Sequence, residues 1–340
     1  MGLTSISPVP SKYANREVRV QPWRIPHSKP VISPGMLHPQ RDQSRAGAAH
    51  VVRLGDRYRM AYWGTDADGL NYILQAETSV AEPNSWRPVG AVSIGPQTDT
   101  DHNCTGPSFP FLLPLSADNW LLYFTAWGRR SDGKLPNTTG VAISNDGGES
   151  WRYHSEHPVL PLDRPYDAEG TGSMWILHEN GLFRMYYTAI GRYFPKPEGV
   201  DTGHGDTIPE IGIAYAESKD GIHWEKPLAH LVVSPRGFGV IPYEYICSKP
   251  CIIKQNDTYV MWLNTFGTAY RVHRLTSHDG FTWQWSDRHG PDGELGVGEQ
   301  DAFDDLQRSY PTVIRDHNEL RCWFTGNQFG ATGMGYAVTT

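Results

Sequence analysis

A Ser-x-Asp-Gly turn that closes on a tryptophan returns three times, as Ser144-Asn145-Asp146-Gly147-Gly148-Glu149-Ser150-Trp151, Ser218-Lys219-Asp220-Gly221-Ile222-His223-Trp224 and Ser277-His278-Asp279-Gly280-Phe281-Thr282-Trp283. A vaguer copy ends at Trp86. Asp-Gly favours a tight turn because both residues tolerate positive φ. An aromatic strand recurs five times, as Tyr58–Trp63, Trp120–Phe124, Phe183–Tyr187, Tyr259–Leu263 and Leu320–Phe324. A small-residue strand follows in Gly140–Ile143, Ile211–Tyr215 and Met334–Ala337. Self-similarity at this period marks a repeat architecture of one sheet per unit.

The last copy stops at Thr340 before any tryptophan. Its missing piece is at the other end: Trp23-Arg24 through Pro30-Val31-Ile32-Ser33-Pro34 resembles Trp151-Arg152 through Pro158-Val159-Leu160-Pro161. The pattern therefore predicts an all-β chain folded as a five-bladed β-propeller. An N-terminal strand completes the last blade, closes the ring and leaves no exposed edge. The expected blades span 42–95, 101–162, 167–235, 244–290 and 303–340 plus 18–34, in one domain covering 1–340. A two-sheet sandwich is the alternative, but it has no reason to repeat Asp-Gly-x-x-Trp. The 35 glycines and 26 prolines suit many strands joined by tight turns.

Composition narrows the partners. The formal charge of −7, without a basic block, argues against nucleic acid. Cys104, Cys247, Cys251 and Cys322 are too scattered for a disulfide scaffold or a zinc site and read as buried thiols. Nothing resembles a secretion signal in Met1–Tyr13, and no run suits a membrane span, so a cytoplasmic location is expected. Sequons at Asn103, Asn137 and Asn256 are as frequent as chance gives.

In a propeller, loops entering the inner strands share one mouth. Stepping back from each second-strand aromatic finds Glu169, 17 residues before Tyr186, and Glu244, 18 before Trp262. The same step finds Asp305, 18 before Trp323, Asp42, 19 before Ala61, and Asp101, 22 before Tyr123. Carboxylates that converge repel one another unless they bind a cation or do chemistry. Glycoside cleavage needs a protonated and an ionised carboxyl across the scissile bond. The bland reading is that each acid caps a turn. His50, His102, His204 and His273 are further candidates, with His102 beside Asp101 the most interesting. Arg45, Arg308 and Lys249 suit hydroxyls or a carboxylate. Tyr243, Tyr245, Tyr310 and Trp175 suit a sugar face, although core packing explains an aromatic equally well. The segment from Tyr193 to Thr207, long and rich in Gly and Pro, is expected to form a lid or rim. A calcium ion among the carboxylates is a possible cofactor.

The Ser-x-Asp-Gly-x-x-Trp turns, the Met-Tyr-Tyr and Met-Trp second strands and the closing Met334-Gly335-Tyr336-Ala337 resemble the five-bladed propeller glycosidases of glycoside hydrolase families 43, 32, 117 and 130. The resemblance implies a Glu general acid on the third blade, where Glu169-Gly170 matches and Thr171 replaces a proline. It also implies an Asp base on the first inner strand, where Ser44–His50 has none and Asp42 is the nearby candidate, and a second-blade Asp, for which Asp101 lies upstream of Gly106-Pro107.

Three functions are therefore expected in order. The first is a carbohydrate-active enzyme cleaving or transferring a glycosidic bond of a small oligosaccharide. In it Glu169 is the acid, Asp42 or Asp101 the base, and Glu244 and Asp305 are substrate contacts. The second is a cyclase, lyase or isomerase of small-molecule biosynthesis on the same scaffold, which an apolar, His-lined funnel would favour. The third is a non-catalytic sugar-binding propeller.

Overall fold

The computed structural model describes residues 22–200, 205–237, 244–286 and 292–339. The expected His204 and Tyr243 contacts lie outside these residues, as do parts of the first-named N-terminal and fourth-blade segments. The chain is all-β, with its strands in three four-stranded antiparallel sheets and one extended seven-stranded sheet. Strands β2 (Arg45–Leu54), β3 (Arg57–Thr65), β4 (Asn71–Ser79) and β5 (Arg87–Ile94) form the first sheet. Strands β6 (Gly106–Pro114), β7 (Trp120–Trp127), β8 (Asn137–Ser144) and β9 (Arg152–Tyr153) form the second.

The next seven strands share one sheet: β10 (Gly170–Glu179), β11 (Leu182–Pro195), β12 (Thr207–Ser218), β13 (Ile246–Gln255), β14 (Thr258–Phe266), β15 (Tyr270–Ser277) and β16 (Gln284–Trp285). Among the described residues its halves are strand-paired only at Ile211 with Ile246, in parallel. The last sheet orders β1 (Trp23–Arg24), β19 (Met334–Thr339), β18 (Glu319–Thr325) and β17 (Ser309–Asp316). Trp23 pairs with Thr339 and Arg24 with Val338, so Trp23 and Tyr336 occupy one sheet. Trp23 also donates from Nε1 to Glu294 at 2.9 Å and meets Trp262 edge-on at 6.3 Å.

The repeated turn has a local mechanism. Ser218 Oγ accepts the Gly221 N–H at 2.9 Å, and Asp220 Oδ1 accepts the N–H groups of Ile222 and His223, each at 2.8 Å. Ser277 and Asp279 repeat these contacts with Gly280, Phe281 and Thr282. The side chains satisfy the backbone where the strand ladder stops. Gly221 and Gly280 have φ of +77° and +80°, and each lies against a tyrosine of the preceding aromatic strand. A Cβ on Gly280 would stand 2.6 Å from the Tyr186 hydroxyl, so glycine serves both the turn and the packing between units. The aromatic strands fill the core, with Tyr62, Tyr123, Tyr186, Tyr187, Trp262 and Trp323 all enclosed. All four cysteines are buried and unpaired.

Each inner strand carries one irregularity at the same place. The registers of β2, β6, β10, β13 and β17 shift at a bulge, and a non-glycine residue there takes positive φ: Ala48, Phe109, Ser173, Lys249 and Tyr310. Bulges re-aim side chains and concentrate beside functional sites. The Tyr193–Thr207 insertion, expected as a lid or rim, continues the β11–β12 hairpin as far as the pairing of Pro195 with Thr207. Among the described residues no helix is long and apolar enough to cross a membrane.

Candidate functional site

Two neighbouring recesses are the candidate sites. The first is a cleft of about 540 Å³ between the second sheet and the start of β10. Its wall takes Asp99, Asp101 and His102 from the β5–β6 loop, Arg129 and Arg130 from the end of β7, Glu156 and His157 after β9, and Glu169 just before β10. Asp101, His102 and Glu169, singled out from two distant stretches of sequence, therefore meet in one cleft.

Glu169 is gripped by two cations. Lys134 Nζ donates to Oε1 at 2.6 Å and Arg130 Nη2 to Oε2 at 2.9 Å. These bonds, Lys134's first, hold its carboxyl below the usual range. Glu169 is thus ionised at neutral pH, which is the wrong form for the general acid expected of it. His102 donates to or accepts from Thr138 Oγ1 at 2.7 Å through Nδ1, and its Nε2 is buried without a partner. Burial, reinforced by His157, pushes its pKa down to about 4, so the ring is neutral at pH 7.

The second recess is a funnel of about 220 Å³ lined from all four sheets. Trp63, Phe109, Trp127, Tyr270, Tyr310 and Phe329 supply aromatic faces, and Thr125, Ser173, Thr188 and Ser248 supply hydroxyls. No described residue on its wall is a carboxylate. Leu135 and Asn137 line both recesses, so cleft and funnel adjoin.

The other expected acids have structural partners. Asp42 is enclosed: Oδ2 accepts the Tyr62 hydroxyl at 2.8 Å and the His38 N–H at 3.3 Å, while Oδ1 is buried without a partner. It lines neither recess. Glu244 is buried against Arg236, which donates from Nη2 at 2.7 Å and Nε at 3.1 Å. Asp305 accepts Asn327 Nδ2 at 2.7 Å and the Asp301 N–H at 2.9 Å. Arg308 pairs with Asp304 at 2.6 Å and donates to the Leu295 carbonyl. Glu244, Asp305 and Arg308 line neither recess.

The remaining candidates divide similarly. Tyr245 packs in the core against Phe266. Trp175 stands edge-on to His50 and Phe111 at 5.0 and 5.2 Å, outside both recesses. His50 Nδ1 accepts the Leu112 N–H at 2.9 Å, and burial drives its pKa well down. His273 is buried beside Trp285. Tyr310 does line the funnel, and Arg45 stacks on the funnel residue Trp63 at 4.6 Å. Among the described residues no three His, Cys, Asp or Glu side chains gather as ligands for an ion. The calcium expected among the carboxylates therefore has no site built from them.

Sequence reasoning missed Trp63, Trp127, Tyr270 and Phe329 on the funnel, and Arg130 and Lys134 on Glu169. Arg129-Arg130-Ser131-Asp132-Gly133-Lys134 was the one available signal, a basic and turn-forming stretch between two strands.

No family model matches the chain. Among solved structures the fold is that of the propeller glycoside hydrolases. One is described under "The GH130 family of mannoside phosphorylases contains glycoside hydrolases that target beta-1,2 mannosidic linkages in Candida mannan", with a TM-score of 0.69 at 14% identity over 96% of this chain and 95% of that one. Another is a thermostable family-43 glycoside hydrolase, with a TM-score of 0.60 at 13% identity over 89% and 91%. Likeness at such identities carries the fold and leaves activity open. In sequence, the uncharacterized protein MT1551 of Mycobacterium tuberculosis is 32% identical over 302 residues, which span 87% of this chain and 94% of that protein. At that identity and coverage, this chain belongs to the family of the mycobacterial protein MT1551.

Proposed function

We propose that the chain is a single five-bladed propeller, its ring closed by the N-terminal strand, and that it cleaves or transfers a glycosidic bond. The observation that carries this reading is the meeting of Glu169, Asp101 and His102 in one cleft beside an aromatic funnel. Aromatic faces bind the apolar side of a sugar ring, and carboxyls across a bond supply acid and base. The seven-stranded sheet counts as two blades, because a single residue pair joins its halves. The bulge repeated on five inner strands supports the same count.

The roles differ from those the resemblance implied. Glu169, held ionised by Lys134 and Arg130, acts as the base or as the anion that steadies positive charge at the reacting carbon. Asp101, exposed on the facing loop, supplies the second carboxyl of the pair. Neutral His102 orients a hydroxyl through its unpartnered Nε2. Glu169→Gln and Asp101→Asn should each lower kcat/KM on a cleaved glycoside by about 10²–10⁴-fold, the usual worth of a positioned acid or base. The measurement is a panel of aryl glycosides and small mannosides, with release of product followed for each variant. Full activity in both variants sinks the assignment. A second reading, a non-hydrolytic enzyme on this scaffold, is favoured by the acid-free funnel wall. It predicts substrate binding without glycoside cleavage across the panel.

A further inference from the structure

Beside the funnel stands a cation that no carboxylate among the described residues pairs with. Arg45 opens β2, with its guanidinium carbon 4.6 Å from the ring centroid of Trp63, which lines the funnel. Among the described residues it makes no ion pair with a carboxylate, and its Nε is buried without an acceptor. Other half-buried arginines have acceptors: Arg130 has Glu169 and Asp132, Arg271 has backbone carbonyls, and Arg236 has Glu244. Leaving a donor of this kind dry and unmatched is costly, and sites built for a ligand are where such groups persist.

A second orphan has the opposite sense. Asn137, 6% exposed, lines both recesses. Its Nδ2 donates to the Thr171 carbonyl at 3.2 Å, while Oδ1 is buried with no donor. The funnel wall therefore carries an unmatched acceptor, several aromatic faces and four hydroxyls, with an unpaired guanidinium beside its Trp63. Its volume of about 220 Å³ falls below the roughly 300–1,000 Å³ of sites for drug-sized ligands, which suits one ring and its substituents.

We propose that this funnel binds a single sugar ring bearing a carboxylate, a uronic acid, with Arg45 taking the carboxylate and Asn137 Oδ1 taking a ring hydroxyl. A stacked guanidinium keeps its N–H edges free in one plane, the geometry that meets a planar carboxylate in a two-point fork. One reachable cation balances one negative charge. A phosphate dianion in the same apolar funnel would retain unneutralised charge. The wall carries no carboxylate that would repel the ligand. This goes beyond the cleft chemistry, because binding in the funnel needs no turnover.

The test is calorimetric titration of the full chain with three probes: methyl glucuronide, methyl glucoside and glucose 6-phosphate. The expected result is saturable binding of the glucuronide at least 10-fold tighter than of the glucoside. Arg45→Gln should remove that preference, and Arg45→Lys should restore only part of it, since an ammonium keeps the charge without the fork. Circular dichroism checks that the variants fold, as expected for a residue that makes no ion pair among the described residues. Equal binding of glucuronide and glucoside, unchanged preference in Arg45→Gln, or preference for glucose 6-phosphate would each overturn the proposal. Because the readout is binding, its failure leaves the glycoside-cleavage reading standing, and the reverse holds.

Discussion

Lys226→Met is expected to destabilise the fold strongly, because it strips the cation from an enclosed carboxylate. Lys226 Nζ lies 2.5 Å from Asp167 Oδ2, with side-chain exposures of 2% and 0%. Asp167 keeps only neutral donors after the change: the Tyr187 hydroxyl at 2.7 Å and the Arg164 N–H at 3.0 Å. Breaking one side of a buried pair typically costs about 3–5 kcal/mol, since the other charge stays buried. The second partner of Lys226, Asp163 at 2.9 Å, is 53% exposed, so water replaces that bond at little cost. An unfolding entropy of about 2.1 cal/mol/K per residue over 340 residues gives roughly 0.7 kcal/mol/K, so the loss is a fall in Tm of about 4–7 °C. Differential scanning calorimetry reads it directly. The double variant Lys226→Met, Asp167→Asn should recover most of the fall, because it removes the stranded charge as well. A fall under about 1 °C, or a double variant no better than the single one, refutes the reasoning.

Other outcomes follow from the same structure. Gly106→Ala should cost more than about 3 kcal/mol by urea denaturation, because φ is +97° there and a Cβ would stand 2.0 Å from the Asn71 carbonyl oxygen. His102 should titrate near pH 4 by NMR of its ring protons, well below the ordinary 6.5. Its folded value lies below its unfolded one, so the unfolded chain takes up this proton first. Stability from this group is therefore complete above about pH 6.5 and falls as the pH drops towards 4. A midpoint near 6.5 would show that the ring is not buried as described.

The parts legible in the sequence were those with a local mechanism. Ser218, Asp220 and Gly221 satisfy their own turn, so the pattern shows wherever that turn recurs. The pairing of Trp23 with the closing strand was legible for the same reason, since a truncated repeat declares what it lacks. The acids were legible only to within a residue or two. Stepping back from each aromatic strand lands on a loop that must be pinned before the inner strand begins, and the pinning residue there is buried and polar. These are Asp42, Asn103, Asp167, Glu244 and Asp304. Periodicity finds that anchor as readily as it finds a catalyst, because both need a polar side chain at the same loop. The funnel wall was illegible for a different reason. A bulge on every inner strand breaks the alternation of faces, so Phe109, Ser173 and Tyr310 are turned to the axis by backbone that no pattern of polar and apolar residues encodes.

That division suggests how the cleft acquired its acids. Glu169 stands two residues after the anchor Asp167, and Asp101 two residues before the anchor Asn103. Asp167 fixes the loop through Tyr187, Lys226 and the Arg164 N–H, and its carbonyl takes the Gly170 N–H at 3.2 Å. Asn103 does the same through the Gly95 carbonyl and the Gln97 side chain. A residue beside such a pin inherits a fixed backbone while its own side chain remains in the cleft, which is the rigidity a positioned acid or base requires. On the proposed reading, the anchors and the two cleft acids are thus coupled by position. Lys226→Met should then lower kcat on any cleaved glycoside even though Lys226 lies outside the cleft, and should leave the binding of a uronate in the funnel nearly unchanged. Equal loss of both would mean that the whole propeller, and not the Glu169 loop, had loosened.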